Sequence, residues 1–248
     1  MPAAPPPSKP LRLAHTSDVH VGGGLRDPSG RWPEMALRML DRVVATAQAE
    51  AADLLLITGD LFDHNRVAGE LSACVMDMLA RSGLSVAILP GNHDPYSPDS
   101  VYRRTAIPDN VHVFQSAMGE LRVLPELGVQ LWGQAHVDYH DSAPFSAAPQ
   151  WQADDGQPLW RIALGHGMYV RSDYERRFSY LIHDEDLERL AAHYVGLGHL
   201  EQHEPIGPAA ACAWYAGAPD RTGCATLVEL GTHGTRVSPR TLVDAPGS

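Results

Sequence analysis

The chain has 248 residues, 44% of them hydrophobic, and a formal net charge of −11. It holds enough apolar material for a full core, and no apolar run nears the ~18 residues of a membrane span. The acidic balance speaks against a protein that coats nucleic acid by neutralising phosphates, though not against a nuclease. Cys74, Cys212 and Cys224 show no CxxC spacing, which excludes a disulfide framework and a thiolate zinc site; they read as small buried hydrophobes.

Residues 1–10, MPAAPPPSKP, are proline-rich and read as a disordered tail ahead of a single domain over 11–248. They lack the basic start and apolar core of a secretory signal, so the expectation is a cytoplasmic protein. Leu11–Ser17 reads as a buried strand, followed by a glycine-rich loop that carries Asp18 and His20. Pro33 suits a first helical position, and Leu37, Leu40, Val44 and Ala47 then mark one helix face. Asp53–Gly59 is a continuous apolar run ending in glycine, as buried parallel strands are. Leu71, Val75 and Met78 mark a second helix, and Leu84–Pro90 a third strand. This opening predicts an α/β fold with parallel strands. Shorter strands follow at VHVF, VQLWG, WRIALGH, YVGLGH, CAWYAG and CATLVEL, with a helix near Glu185–Ala192. Pro144–Pro158 reads as a surface excursion.

In such sheets ligands gather beyond the carboxyl ends of the strands. Asp18 and His20 follow the first strand. Asp60 and Asp63, in GDLFD, follow the second. Asn92, His93 and Asp94, in GNHD, follow the third. His166 ends WRIALGH, and His199 and Glu201, in GHLE, follow YVGLG. Turn chemistry explains the Gly, Asp and Asn. It does not explain why histidine, thirteen of them in all, recurs at these places. Carboxylate, imidazole and amide oxygen suit manganese, iron or zinc, and paired cations are a known clamp for displacement at phosphorus.

The ordered set DxH, GDxxD, GNHD, a histidine after a strand, and GHxE resembles the calcineurin-like metallophosphoesterase superfamily. Within it, LRLAHTSDVHVG, LLLITGDLFD, YVGLGH and AWYAGAPDRTGCATLVEL are similar to the SbcD-type exonuclease subfamily. The resemblance runs from Leu11 to about Leu230. It implies a four-layer α/β/β/α sandwich, two mixed sheets flanked by helices, with a two-metal site at one edge. It implies hydrolysis of a phosphodiester substrate, DNA or another nucleic acid among the classes that fit, by attack of a metal-activated water. Asp18 and His20 would hold the first cation, Asp60 would bridge both, and Asn92, His166 and His199 would hold the second. His93 would face the phosphate, and Asp94 would orient it.

Glu201 stands where the family has histidine. As a ligand it would make the first position carboxylate-rich and favour manganese over iron or zinc; the alternatives are water or His203. The chain ends soon after Leu230, short of the region with which SbcD-type enzymes cap DNA and bind a coiled-coil ATPase, which speaks against that partner. A homodimer is a state the sequence allows. The second class of function is a non-catalytic scaffold that keeps the fold with a weakened metal site. Asp63 serves either the site or its loop. Arg103 and Arg104 read as a solvated face, and Tyr169–Tyr180 as a loop rim or a base-stacking surface. His15, His112, His136, His140, His183, His193 and His233 fit no motif and read as surface or satisfied core.

Overall fold

A computed structural model describes residues 7–23, 32–140, 142–152, 159–170 and 179–245. The elements in chain order are β1 (Leu11–Thr16), α1 (Trp32–Ala49), β2 (Leu54–Thr58), α2 (Gly69–Arg81), β3 (Ser85–Leu89), α3 (Val101–Arg104), β4 (Val111–Val113), β5 (Glu120–Leu124), β6 (Val129–Gly133), β7 (Trp160–His166), β8 (Met168–Tyr169), β9 (Leu181–Ile182), α4 (Asp184–Arg189), β10 (Tyr194–Gly198), β11 (Glu204–Ile206), β12 (Ala213–Tyr215), α5 (Pro219–Thr222), β13 (Cys224–Gly231) and β14 (Gly234–Thr241).

One six-stranded sheet runs β14-β13-β1-β2-β3-β4 and a second runs β11-β12-β10-β7-β6-β5. In the first, β1 to β4 are parallel, while β13 lies antiparallel to β1 and β14 to β13. In the second, β6, β7, β10 and β12 are parallel, with β5 and β11 antiparallel at the edges. Both sheets are therefore mixed.

The layering follows from the two-residue period of strands, which sends alternate side chains to opposite faces. Leu13, Leu54, Leu56 and Leu89 of the first sheet meet Leu131, Ile162, Leu164 and Tyr194 of the second, forming the interior of the sandwich. Their alternates Leu55, Ile57, Val86 and Ile88 turn outward onto Leu40, Val44, Val75 and Leu79 of α1 and α2. On the far face, Ala163, Val195 and Leu197 pack on Leu187 and Leu190 beside α4 and on Phe145. The result is an α/β sandwich of two mixed sheets flanked by helices.

One polar group crosses the apolar interior. His15, fully buried, bonds Tyr194 Oη on the opposite sheet at 2.8 Å and Thr58 Oγ1 on its own sheet at 2.8 Å. Both ring nitrogens are thereby satisfied, which burial demands.

Several details differ from the sequence reading. The helix at 185–192 spans Asp184–Arg189 instead, because Leu190 already forms its C-cap. Of the proline-rich start, residues 1–6 lie outside the described residues, as do 153–158 and 171–178. Residues 7–10 lie on the body: Pro7 is buried, Lys9 Nζ donates to the Glu126 carbonyl at 3.0 Å, and the Lys9 carbonyl accepts from Trp160 Nε1 at 2.9 Å. The excursion after Pro144 is anchored by buried Phe145, stacked on Trp132 with centroids 6.1 Å apart. Cys224 is buried and Cys212 half-buried, but Cys74 is exposed, since it falls on the outward face of α2.

Candidate metal centre

Five strand ends, three from the first sheet and two from the second, converge at one edge of the sandwich. The loops after β1 and β2 run side by side there, with Asp18 N–H donating to the Gly59 carbonyl at 3.1 Å and His20 N–H to the Asp60 carbonyl at 3.0 Å. Asp18, His20 and Asp60 all adopt left-handed backbone, with φ of 55°, 54° and 53°. Non-glycine residues visit that region seldom, and such strain persists where surrounding contacts over-determine it. Gly91 lets the third loop close on the second. A Cβ there would lie 2.6 Å from Asp60 N and would strike its carboxylate.

His166 ends β7. Its Nδ1 faces the Thr58 carbonyl at 2.9 Å, an acceptor only, so Nδ1 carries the proton. Nε2 is then the nitrogen presented to Asn92 Oδ1 at 3.0 Å and Asp60 Oδ2 at 3.2 Å. His199 Nδ1 meets the same Asn92 oxygen at 3.1 Å, and its backbone N–H donates to Asp18 Oδ2 at 3.0 Å. His20 lies with Nε2 4.0 Å from Asp60 Oδ2 and Nδ1 3.2 Å from Asp63 Oδ1. The structure thus brings Asp18, His20, Asp60, Asn92, His166 and His199 together.

His93 stands at the rim, its side chain 45% exposed. Its N–H donates to Asp60 Oδ1 at 2.9 Å, and its Nδ1 lies 3.0 Å from the Asp63 carbonyl and 3.8 Å from Asp63 Oδ1. Asp63 therefore orients both His20 and His93. Asp94 turns away from the His93 ring. It accepts from the backbone N–H groups of Asp60, Phe62 and Gly91 at 3.2, 3.0 and 2.8 Å and from Tyr102 Oη at 2.6 Å. Fully buried, it ties the second and third loops together.

Glu201 lies apart from that cluster. Its side chain is 55% exposed, and its carboxylate pairs with Arg221 Nε at 3.4 Å. His203 is engaged elsewhere, Nδ1 to Thr226 Oγ1 at 2.9 Å. Sequence reasoning missed Arg221, Tyr102 and Thr58; His136, read above as surface or satisfied core, is core. His136 is buried, with Nε2 2.8 Å from the His166 carbonyl. Of the two arginines after GNHD, Arg103 stacks 4.3 Å above the Tyr96 ring and Arg104 donates to the Asn65 carbonyl.

The electrostatics of the cluster are those of a cation site. Asp18 and Asp60 are 3% and 2% exposed, and ligand atoms of both lie within 4.8 Å of one on His166. Burial raises the Asp18 carboxyl, opposed by His166 and helped by the Asp60 charge, to about 6. Burial would also raise Asp60, but His166, His93 and His20 hold it well below the carboxylate range. Burial would lower His166; the charge and hydrogen bond of Asp60, with Asp18 behind, raise it to about 9. His20 likewise reaches about 9 against burial, through Asp63, Asp60 and Asp18. Two dry carboxylates demand positive charge. Imidazole protons supply some; divalent cations held by the same oxygen and nitrogen donors suit the site better. A second group of His20, Asp63 and His93 also has metal-ligand spacing.

Comparison with known proteins speaks to the family and the fold. The chain is 24% identical over 235 residues to the uncharacterized metallophosphoesterase YhaO of Bacillus subtilis (strain 168), covering 90% of this chain and 56% of that protein. It is 25% identical to the SbcD subunit of the nuclease SbcCD of the same organism, over 84% of this chain and 61% of the relative. It is 30% identical over 106 residues to the DNA double-strand break repair protein Mre11 of Methanopyrus kandleri, covering 39% of this chain and 23% of that protein. The chain thus spans little more than half the length of the relatives it matches most fully. The solved structure of TT1561 of Thermus thermophilus superposes with a TM-score of 0.58 at 14% identity, over 93% of this chain and 99% of that one, which speaks to the fold. The calcineurin-like phosphoesterase model matches residues 11–201, from the first residue of β1 through the last strand end that feeds the site, and to that family the chain belongs.

Proposed function

We propose that the protein is a divalent-cation-dependent hydrolase of phosphodiester bonds, a nuclease or phosphodiesterase. One observation carries the reading: oxygen and nitrogen donors from five strand ends meet in one half-dry cluster, with an exposed histidine at its rim. Asp18, His20 and Asp60 would hold one cation, and Asp60, Asn92, His166 and His199 the other; oxygen and imidazole donors of this kind suit manganese, iron or zinc. Bound there, the pair would supply an activated water and charge neutralisation at phosphorus.

The chain's own residues do the rest. Thr58 and Asp63, by accepting from imidazole Nδ1, fix which nitrogen His166 and His93 present. With Nδ1–H held by Asp63, the doubly protonated His93 ring would carry on Nε2 the proton that passes to the leaving oxygen. Asp94 holds the loops of Asp60 and His93 in register. Relatives named as nucleases support nucleic acid as the substrate class. A second reading, a scaffold with a weakened site, draws on the pairing of Glu201 with Arg221.

The test is a panel of single- and double-stranded DNA, RNA, cyclic nucleotides and a chromogenic diester, assayed with manganese and with chelator. Manganese-dependent cleavage of any diester supports the enzyme. Two bound cations with no cleavage across the panel would favour the scaffold.

A further inference from the structure

Resting on the two-cation reading, we infer that His15 is a positioning residue for one of the two cations: it staples the sheets together just beneath the centre and so sets the affinity of the position that takes donors from both. The donors Asp18, His20 and Asp60 follow β1 and β2, both in the first sheet. The other position straddles the gap. Asp60 and Asn92 come from the first sheet, His166 and His199 from the second. Three contacts cross between them: His166 Nε2 to Asn92 Oδ1 at 3.0 Å and to Asp60 Oδ2 at 3.2 Å, and His199 Nδ1 to Asn92 Oδ1 at 3.1 Å. A small change in sheet separation acts on all three.

His15 is placed to fix that separation. It lies in the dry interior with Thr58 and Tyr194, all three 0% exposed. Its Nε2 bonds Thr58 Oγ1 of the first sheet and its Nδ1 bonds Tyr194 Oη of the second, each at 2.8 Å. The surrounding leucines specify the gap less sharply, because apolar contact is non-directional, whereas a hydrogen bond restricts both length and angle. The inner face of β10 leads from the staple to the centre. A Cβ on Gly196 would lie 3.2 Å from His15 Cε1, and one on Gly198 would lie 1.9 Å from the Thr58 carbonyl oxygen. These glycines are about 7 Å apart along the strand, and His199 comes next. The sheets are thus in near contact one layer above His15, where the same Thr58 carbonyl accepts from His166 Nδ1 at 2.9 Å. Thr58 is held through its side chain by His15 and holds His166 through its backbone. Asp18 also accepts from the His199 N–H at 3.0 Å, so the first position feels the gap through one bond rather than three contacts.

The experiment is calorimetric titration of the chelator-stripped full chain with manganese chloride, with free manganese counted by electron paramagnetic resonance. The wild type should take up two ions. Asn92→Ala removes a donor from the straddling position alone and His20→Ala removes one from the other, so this pair assigns the two steps. Tyr194→Phe and Thr58→Val each delete one hydroxyl and so cut one arm of the staple. Each should weaken the straddling step by about tenfold, the lower end of what outer partners cost, and the other step by less. Thr58→Ser keeps its hydroxyl and should bind as the wild type does. Ile162→Val loosens the same interior modestly with the staple intact, and should move neither step. Equal weakening of both steps, or no weakening, in either Tyr194→Phe or Thr58→Val overturns the inference. Weakening of the straddling step in Ile162→Val also overturns it, since looser packing would then suffice. A wild type that binds fewer than two ions strikes at the two-cation reading itself and takes the inference with it.

Discussion

At the scale of single residues, the centre divides into groups that would hold cations and one that would act on substrate. His93→Ala should lower turnover by about 10²- to 10⁴-fold, the range for a general acid, with cation content unchanged. Metal analysis of the purified variant checks this, and a lost ion would make His93 a ligand. Asp60→Asn should weaken both cations by more than the about 10- to 100-fold that outer partners cost, because one carboxylate serves both positions. Gly91→Ala should do part of the same damage without touching a donor, since its Cβ would meet Asp60 N at 2.6 Å; near wild-type manganese affinity in that variant would show the loop can yield. The donors were legible because histidine kept returning at strand ends where turn chemistry does not require it. Side-chain direction was not. Glu201 turns to Arg221, twenty positions on, and Asp94 turns to backbone N–H groups rather than to its neighbour His93. Neither pairing leaves a local pattern.

At the scale of elements, strands were readable where both faces are buried and invisible where one face is wet. β2, LLLIT, is buried throughout and stands out as an apolar run; β14, GTRVSPRT, alternates exposed and half-buried residues, carries Pro239, and reads as loop. Proline is tolerated there because β14 is an edge strand. β5 and β11, also at edges, escaped for the same reason. The order of the two sheets was beyond any local signal, since β13 returns from more than two hundred residues away to pair with β1. Between elements the loops depend on Asp94. Asp94→Ala leaves three backbone donors and a tyrosine hydroxyl without their acceptor in a dry site, which should cost about 3 kcal/mol or more. Urea unfolding measures that. Because the same bonds hold the Asp60 loop against the Gly91 loop, manganese affinity should fall with it; unchanged stability would mean water enters and replaces the carboxylate.

At the scale of the whole molecule, its buried histidines make stability a function of pH, with opposite signs on the two sides of neutrality. Burial, with His203 adding to it, lowers His15 to about 3. Burial and His166 lower His136 and His199 each to about 4. Unfolded, each would titrate near about 6.5. Below that value the unfolded chain binds protons these three refuse, so stability falls as pH falls. Asp18, raised to about 6, binds a proton in the folded state and offsets one of them. The balance is a loss on the order of 1–3 kcal/mol per pH unit between about pH 6 and 4. His20 and His166, raised to about 9, work the other way. Their protons stabilise the fold fully below about 6.5, and that stabilisation is lost as pH rises through about 9. The chelated protein should therefore be most stable near about pH 6.5 and weaken on both sides. Saturating manganese should erase the alkaline decline, because a ligated imidazole must be deprotonated. It should leave the contribution of His15 to the acid branch, since that ring bonds Tyr194 and Thr58 away from the donors. Urea titrations at about pH 5, 6.5 and 9, with chelator and with manganese, separate these branches. An alkaline decline of the same slope in both conditions would mean that His20 and His166 do not hold the cations.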